Sequence, residues 1–147
     1  LDLGFDGDPA ILRQARAKAE RKGADIQFDE GLSYELPYAD ESFDHVLSSL
    51  FFHHLTRENK LRTLAEVRRV LKPGGEFHVA DWGLPHNALM RLASQGIVLL
   101  DGATTKDNFA GKLPEFIRQT GFEDVEEVRH FNSLFGTIRL HKAYKPC

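Results

Sequence analysis

Apolar residues recur along this chain at two spacings, every second position in some stretches and every third or fourth in others, and the two kinds of stretch alternate. Residues 1–6 (LDLGFD) alternate and read as a strand. Asp8-Pro9 is a helix-start signal, because the carboxylate caps free N–H groups and Pro9 has no N–H to lose at the first helical position. Ile11, Leu12, Ala15 and Ala19 then share a face, most of the charged residues lie opposite, and Gly23 ends the helix. Residues 25–30 (DIQFDE) turn Ile26 and Phe28 one way, as a strand with one wet face near a sheet edge does. A polar loop at 31–42 leads to 43–52 (FDHVLSSLFF), which reads as a strand buried on both faces.

The second half continues the pattern. Thr56 caps a helix running to about Leu71, with Leu61, Leu64, Ala65, Val67, Val70 and Leu71 inward. Lys72-Pro73-Gly74-Gly75 stops it, and 76–82 (EFHVADW) is the next strand. Residues 86–100 carry an apolar helix signal through Ala88, Leu89, Leu92, Ala93 and Ile97, and 101–111 reads as a loop. A short helix with Pro114 in its first turn closes at Gly121. Two strands, 124–132 and 136–145, follow with a tight connection at Asn132 and Ser133, so they pair antiparallel. Strands alternating with helices predict a three-layer α/β fold: an open, mostly parallel sheet, helices on both faces and a C-terminal antiparallel hairpin.

The length of 147 residues suits a single domain, 1–147. A formal charge of −3 lacks the basic excess of a nucleic-acid binder. One cysteine, Cys147, excludes an internal disulfide framework and a thiolate metal cluster, which makes a reducing compartment the default. No apolar run approaches the ~18–20 residues that span a bilayer, and no leader pattern is read at the N-terminus. The expectation is a cytoplasmic protein with neither nucleic acid nor membrane as partner.

In folds of this kind ligands bind beyond the carboxyl ends of the strands. Those ends carry Asp6-Gly7-Asp8, Gly31-Leu32-Ser33, Ser48-Ser49-Leu50-Phe51 and Asp81-Trp82-Gly83. Asp6 is placed either to accept hydrogen bonds from a ribose diol or simply to cap, as Asp8 does. Gly7 lets backbone approach a ligand. Ser48 and Ser49 either offer backbone groups to a ligand or permit tight packing. Phe51 and Phe52 are core residues or one faces a cation. His53-His54 is too closely spaced for a shared metal and lacks a third ligand nearby. One of the two is a candidate general base, or it is hydrogen-bonded to backbone at a strand–helix junction. The other five histidines receive no role. Asp81 and Trp82 are a substrate contact and a pocket wall, or a cap and core filling. The Lys72–Gly75 turn follows a helix and is no phosphate loop. The absence of G-x-G-x-x-G argues against a nicotinamide dehydrogenase.

Taken in order, SFD…HHL…RRVLKPGG…VADW resembles the class I S-adenosylmethionine-dependent methyltransferases, and the resemblance runs from Gly4 to about Lys145. It implies a Rossmann-like fold, S-adenosylmethionine as cofactor and methyl transfer to a small-molecule acceptor by in-line displacement. By position it implies Asp6 on the ribose hydroxyls, Gly7 and Asp8 along the adenosine, Leu32 and Ser33 at the adenine edge, and Ser48 and Ser49 near the methionine portion. His53, His54, Asp81 and Trp82 would face the acceptor, with helix 86–100 as cover. The family's first strand ends in a glycine-rich turn and leads into a helix before the second strand. Here LDLG, with Asp2 and Gly4, fits the start of that motif, and FDGDP already fits the second strand's end. The join contracts on the order of twenty residues, the length of a strand–helix unit. A sheet lacking that strand must close up or borrow one, so a homodimer, or a catalytically impaired scaffold module of the same fold, is the alternative expectation.

Overall fold

The computed structural model describes residues 2–101 and 103–147, without the side chains of 97–101 and 103. The chain divides between Tyr38 and Ala39 into two compact units.

In the first unit, β1 (Asp2–Asp6) pairs parallel with β2 (Ile26–Glu30), and α1 (Pro9–Lys22) connects them. Asp8 caps α1 as expected, its carboxylate accepting from Ala10 N at 2.7 Å, and Gly23 ends it with φ +63°. Arg21 and Lys22 lie in the last turn, where a helix dipole favours cations. Leu12 and Ala19 are buried, whereas Ile11, expected on the same inward face, is 47 % exposed. A two-stranded ribbon covers only a narrow stripe of helix. Tyr38 donates to Asp29 Oδ2 at 2.9 Å. Burial first, and the Asp29 carboxylate second, push that phenol well above its ordinary range.

The second unit holds a four-stranded sheet in the order β3 (Phe43–Ser49), β4 (Leu71–Trp82), β6 (Gly136–Tyr144), β5 (Glu123–Ser133). β3 and β4 are parallel, and β6 is antiparallel to both β4 and β5. The expected α/β class and terminal hairpin are present, with the six strands shared between two sheets. Side chains of α2 (Arg57–Val70), α5 (Leu113–Gln119) and β4 make the core: Leu64, Val67, Phe77, Val79, Phe116 and Ile117. Phe77 joins Phe52 and Phe122, with ring centroids 6.1 and 5.6 Å away.

Several expectations change here. β3 is not buried on both faces: Leu47 is 78 % exposed and shares an exposed face with His45 and Ser49, whereas Val46 on the opposite face packs against the core. Lys72–Gly75 does not separate helix from strand. It bulges within β4, where Phe43 pairs with Leu71 but His45 already pairs with Glu76, and Gly74 takes φ +73°. On α2, Ala65 is exposed while Lys60 and Thr63 are buried. α3 (Ala88–Asp101) forms as expected but buries Met90 and Ser94, leaving Leu89 and Leu92 about two-thirds exposed at 68 % and 67 %. Its burial thus follows an i, i+4 stripe one position off the apolar one, and Ile97 lies outside the described side chains. The expected loop at 101–111 contains a 3-10 turn (Ala103–Thr105) and α4 (Lys106–Phe109), held by a two-bonded Arg57–Asp107 ion pair at 2.9 and 2.7 Å. Among the described residues no helix is long and apolar enough to cross a membrane.

Thr56 Oγ1 accepts from Asn59 N at 3.2 Å at the start of α2. Thr56→Ala is expected to cost about 1 kcal/mol of stability, and Thr56→Ser little. Urea unfolding followed by circular dichroism measures both; an alanine variant as stable as the parent would remove the cap from the account.

Candidate functional site

In the first unit the parallel strands end side by side. Asp6 Oδ1 accepts from Asp8 N at 2.8 Å, and Asp6 O accepts from Gly31 N at 3.2 Å. Asp6, Gly7 and Asp8 are thereby brought beside Gly31, Leu32 and Ser33. Leu32 is half exposed and Ser33 partly buried. A Cβ on Gly7 would stand 3.2 Å from Gly31 O, so a bare backbone suits that turn. Gly4 is elsewhere. It lies mid-strand opposite Phe28, whose ring a Cβ would meet at 2.5 Å, so its lack of a side chain serves packing.

In the second unit, Ser48 and Ser49 end β3 beside Val79 and Ala80 of β4. Leu50 then takes φ +50°, a left-handed conformation costly for leucine, and donates its N–H to Ala80 O at 2.7 Å. This reverses the chain into a 3-10 turn, Phe52–His54. Phe52 enters the core, His53 is 4 % exposed, and His54 points outward. Phe51 is half-buried against the same core, which favours the packing role for both phenylalanines.

His53 meets Asp81, which is 1 % exposed near the end of β4. The ring Nδ1 stands 2.6 Å from Asp81 Oδ1, the His53 N–H donates to Oδ2 at 3.3 Å, and the Trp82 N–H donates to Oδ1 at 2.8 Å. The carboxylate thus fixes the ring's orientation and draws the imidazole proton to Nδ1. Nε2 has no hydrogen-bond partner among the described residues, so in the neutral ring it carries a free lone pair. The His53 and His54 rings lie 3.9 Å apart, Trp82 stands edge-on to His53 at 6.3 Å, and Phe109 stacks on Trp82 at 6.1 Å.

Two cavities lie nearby in this unit. One, of about 180 Å³, is lined by Asp81, Trp82, Asn108, Glu127, Arg139 and His141. The other, of about 330 Å³, is lined by Leu84, Pro85 and Phe109 together with Arg91, Ser94 and Gln95 of α3, the helix expected to cover the acceptor. Buried polar atoms of Asn108 (Nδ2, Oδ1) and His141 (Nδ1) have no partner among the described residues. Burial lowers the His141 pKa, outweighing the pull of Glu127.

Sequence reasoning missed Lys60. It is fully buried and donates to Thr104 O at 2.6 Å. Burial lowers its pKa, partly opposed by the charges of Asp107 and Asp81. The signal was available, because Lys60 lies four residues before Leu64 and seven before Val67, on the buried stripe of α2. Also missed was a cluster of His45, Glu76 and His78 on the sheet.

Comparison with known proteins defines the class. Residues 3–79 match the methyltransferase domain family, and the chain belongs to that family. The particular relatives are quinone-pathway enzymes by name. The demethylmenaquinone methyltransferase of Thermus thermophilus is 31 % identical over 159 residues, covering 98 % of this chain and 71 % of the relative. That of Deinococcus radiodurans is 32 % identical over 139 residues, covering 82 % of this chain and 57 % of the relative. The ubiquinone/menaquinone biosynthesis C-methyltransferase of Shewanella pealeana is 26 % identical, with 95 % and 62 % covered. The chain therefore spans about three-fifths of the last two relatives' lengths. The Shewanella match runs over 161 positions against 147 residues here, so that relative carries residues within the matched stretch that have no counterpart in this chain. The fold agrees with that of a SAM-dependent methyltransferase from Methanosarcina mazei (TM-score 0.74, 20 % identity, 98 % of this chain and 81 % of that one).

Proposed function

We propose that this chain transfers a methyl group from S-adenosylmethionine to a small aromatic acceptor of the quinol class, with His53 as general base. The observation that carries the chemistry is the buried His53–Asp81 pair. The quinol class is suggested by the names of the curated relatives. The residues in the first unit fit the nucleoside end of the cofactor: Asp6 keeps Oδ2 available while Oδ1 is held by its own turn, and Gly7 presents bare backbone. Asp6 would accept from the ribose hydroxyls, Gly7 and Asp8 would line the adenosine, and Leu32 and Ser33 would border the adenine. Gly4 is taken up by packing against Phe28 and adds no cradle.

The bound cofactor supplies an electrophilic methyl group on a positively charged sulfur. The protein's work is to position the acceptor, exclude water and take a proton. Asp81 holds the His53 ring so that Nε2 accepts the hydroxyl proton of the acceptor, and the resulting imidazolium is stabilised by the carboxylate beside Nδ1. Loss of that proton enriches the ring carbon ortho to the oxygen. That carbon would take the methyl group as the carbon–sulfur bond breaks with its electron pair left on sulfur. The hydrogen on the methylated carbon would then leave as a proton to solvent, restoring the aromatic ring. Trp82, stacked on Phe109, offers a flat apolar wall suited to an aromatic acceptor.

Calorimetric titration of the chain with S-adenosylhomocysteine tests the cofactor assignment. Saturable binding is expected, weakened about tenfold or more by Asp6→Ala, which removes a charged hydrogen-bond partner. No heat at millimolar ligand would favour the impaired scaffold module instead.

A further inference from the structure

Asp81 lies on the same face of β4 as Phe77 and Val79, all three buried. Glu76 and His78 alternate with them and share the other face. On the neighbouring strand His45 is the direct cross-strand partner of Glu76. The side chains converge: His78 Nε2 is 2.8 Å and His45 Nδ1 is 3.6 Å from Glu76 Oε2, and the ligand-capable atoms of all three lie within 4.8 Å of one another.

We propose that His45, Glu76 and His78 bind a divalent transition-metal ion, zinc above all, through two imidazole nitrogens and one carboxylate oxygen. Bonds of about 2.0–2.2 Å to a tetrahedral zinc place ligand atoms roughly 3.3–3.6 Å apart, a spacing these side chains reach from their present separations with shifts of about an ångström. Two imidazoles select zinc, nickel or copper over magnesium or calcium, which prefer all-oxygen sites. The donors stand on paired strands, and strands hold geometry better than loops do. Lys142 Nζ lies 3.2 Å from Glu76 Oε1, the oxygen the metal leaves free, and so anchors the carboxylate from behind. His45 is open enough, at 61 % side-chain exposure, for an ion to enter from solvent. A bound ion would tie the end strand β3 to β4. The site uses none of the residues assigned to methyl transfer, so its test stands apart from that assignment.

The test is zinc chloride titrated into the full chain against a chromophoric chelator, with thermal unfolding in parallel. One zinc per chain is expected, with a raised unfolding temperature and no shift with magnesium. His45→Ala and His78→Ala should each weaken binding about tenfold or more. His86→Ala should leave it unchanged, although His86 lies against His130 with ring centroids 4.3 Å apart. Cobalt should give a visible d–d absorption band in the parent chain that His78→Ala abolishes. Absence of binding at millimolar zinc, or binding retained in both the His45 and His78 variants, overturns the proposal.

Discussion

His53→Ala is expected to lower kcat about 10²- to 10⁴-fold, the contribution typical of a positioned general base. The expectation follows from burial and geometry together. The ring is almost fully enclosed, is gripped at Nδ1 from 2.6 Å, and keeps Nε2 without a partner among the described residues. Asp81→Asn should give a loss of similar order. The amide is close in size but carries no charge to stabilise the imidazolium, and its NH₂ group can turn the ring to the other tautomer. Asp81 is also buried and accepts from the Trp82 N–H, so its replacement must be separated from unfolding. The separating readout is chemical rescue. A base role predicts that added imidazole restores part of kcat to the His53 variant, whereas a locally loosened fold gains nothing from it. His54→Ala, at the exposed neighbour, should change kcat by only a few-fold. Single turnovers with S-adenosylmethionine and a demethylmenaquinol analogue supply the measurement. A His53→Ala enzyme within threefold of the parent would remove histidine from the chemistry.

Phe77→Ala is expected to destabilise the chain by about 3–5 kcal/mol. Phe77 is fully buried and joins the ring of Phe52, at the turn that delivers His53, to that of Phe122 after α5. The missing ring would leave a void that neither aromatic neighbour can fill without leaving its own position. Urea unfolding monitored by circular dichroism should show a lowered midpoint with the slope retained. A cost below 1 kcal/mol would mean that the core around the ring collapses freely. Because Phe52 is adjacent to His53, the variant should also lose activity below its unfolding midpoint.

The elements governed by local chemistry were legible in the sequence. Asp8-Pro9 and Gly23 bound α1 as expected, Thr56 caps α2, and the terminal hairpin forms, its turn falling at Leu134–Phe135 just past the expected Asn132–Ser133, which both pair within the strands. What escaped depends on which strands become neighbours. Nothing in 136–145 signals that β6 inserts between β4 and β5, or that β3 ends its sheet and leaves Leu47 in solvent. His53 and Asp81 were both candidates at strand ends, but their pairing spans 28 residues and requires the parallel register of β3 on β4. His45, Glu76 and His78 are unremarkable in one dimension and meet only through that register. On α3 the apolar positions Leu89 and Leu92 pointed to the wrong face, since hydrophobicity alone does not say where the neighbouring layer stands.

The strict alternation along β4 has a consequence for how the protein checks its own assembly. A slide of one residue against β3 would carry Glu76 and His78 into the apolar interior and deliver Phe77 and Val79 to water. The same slip would strip the imidazole of its acidic partner. Misthreaded molecules would therefore be penalised twice, once by stranded charge and once by lost burial, and any that persisted would be inert. Five side chains on one strand thus act as a combination lock in which structural error and chemical silence coincide.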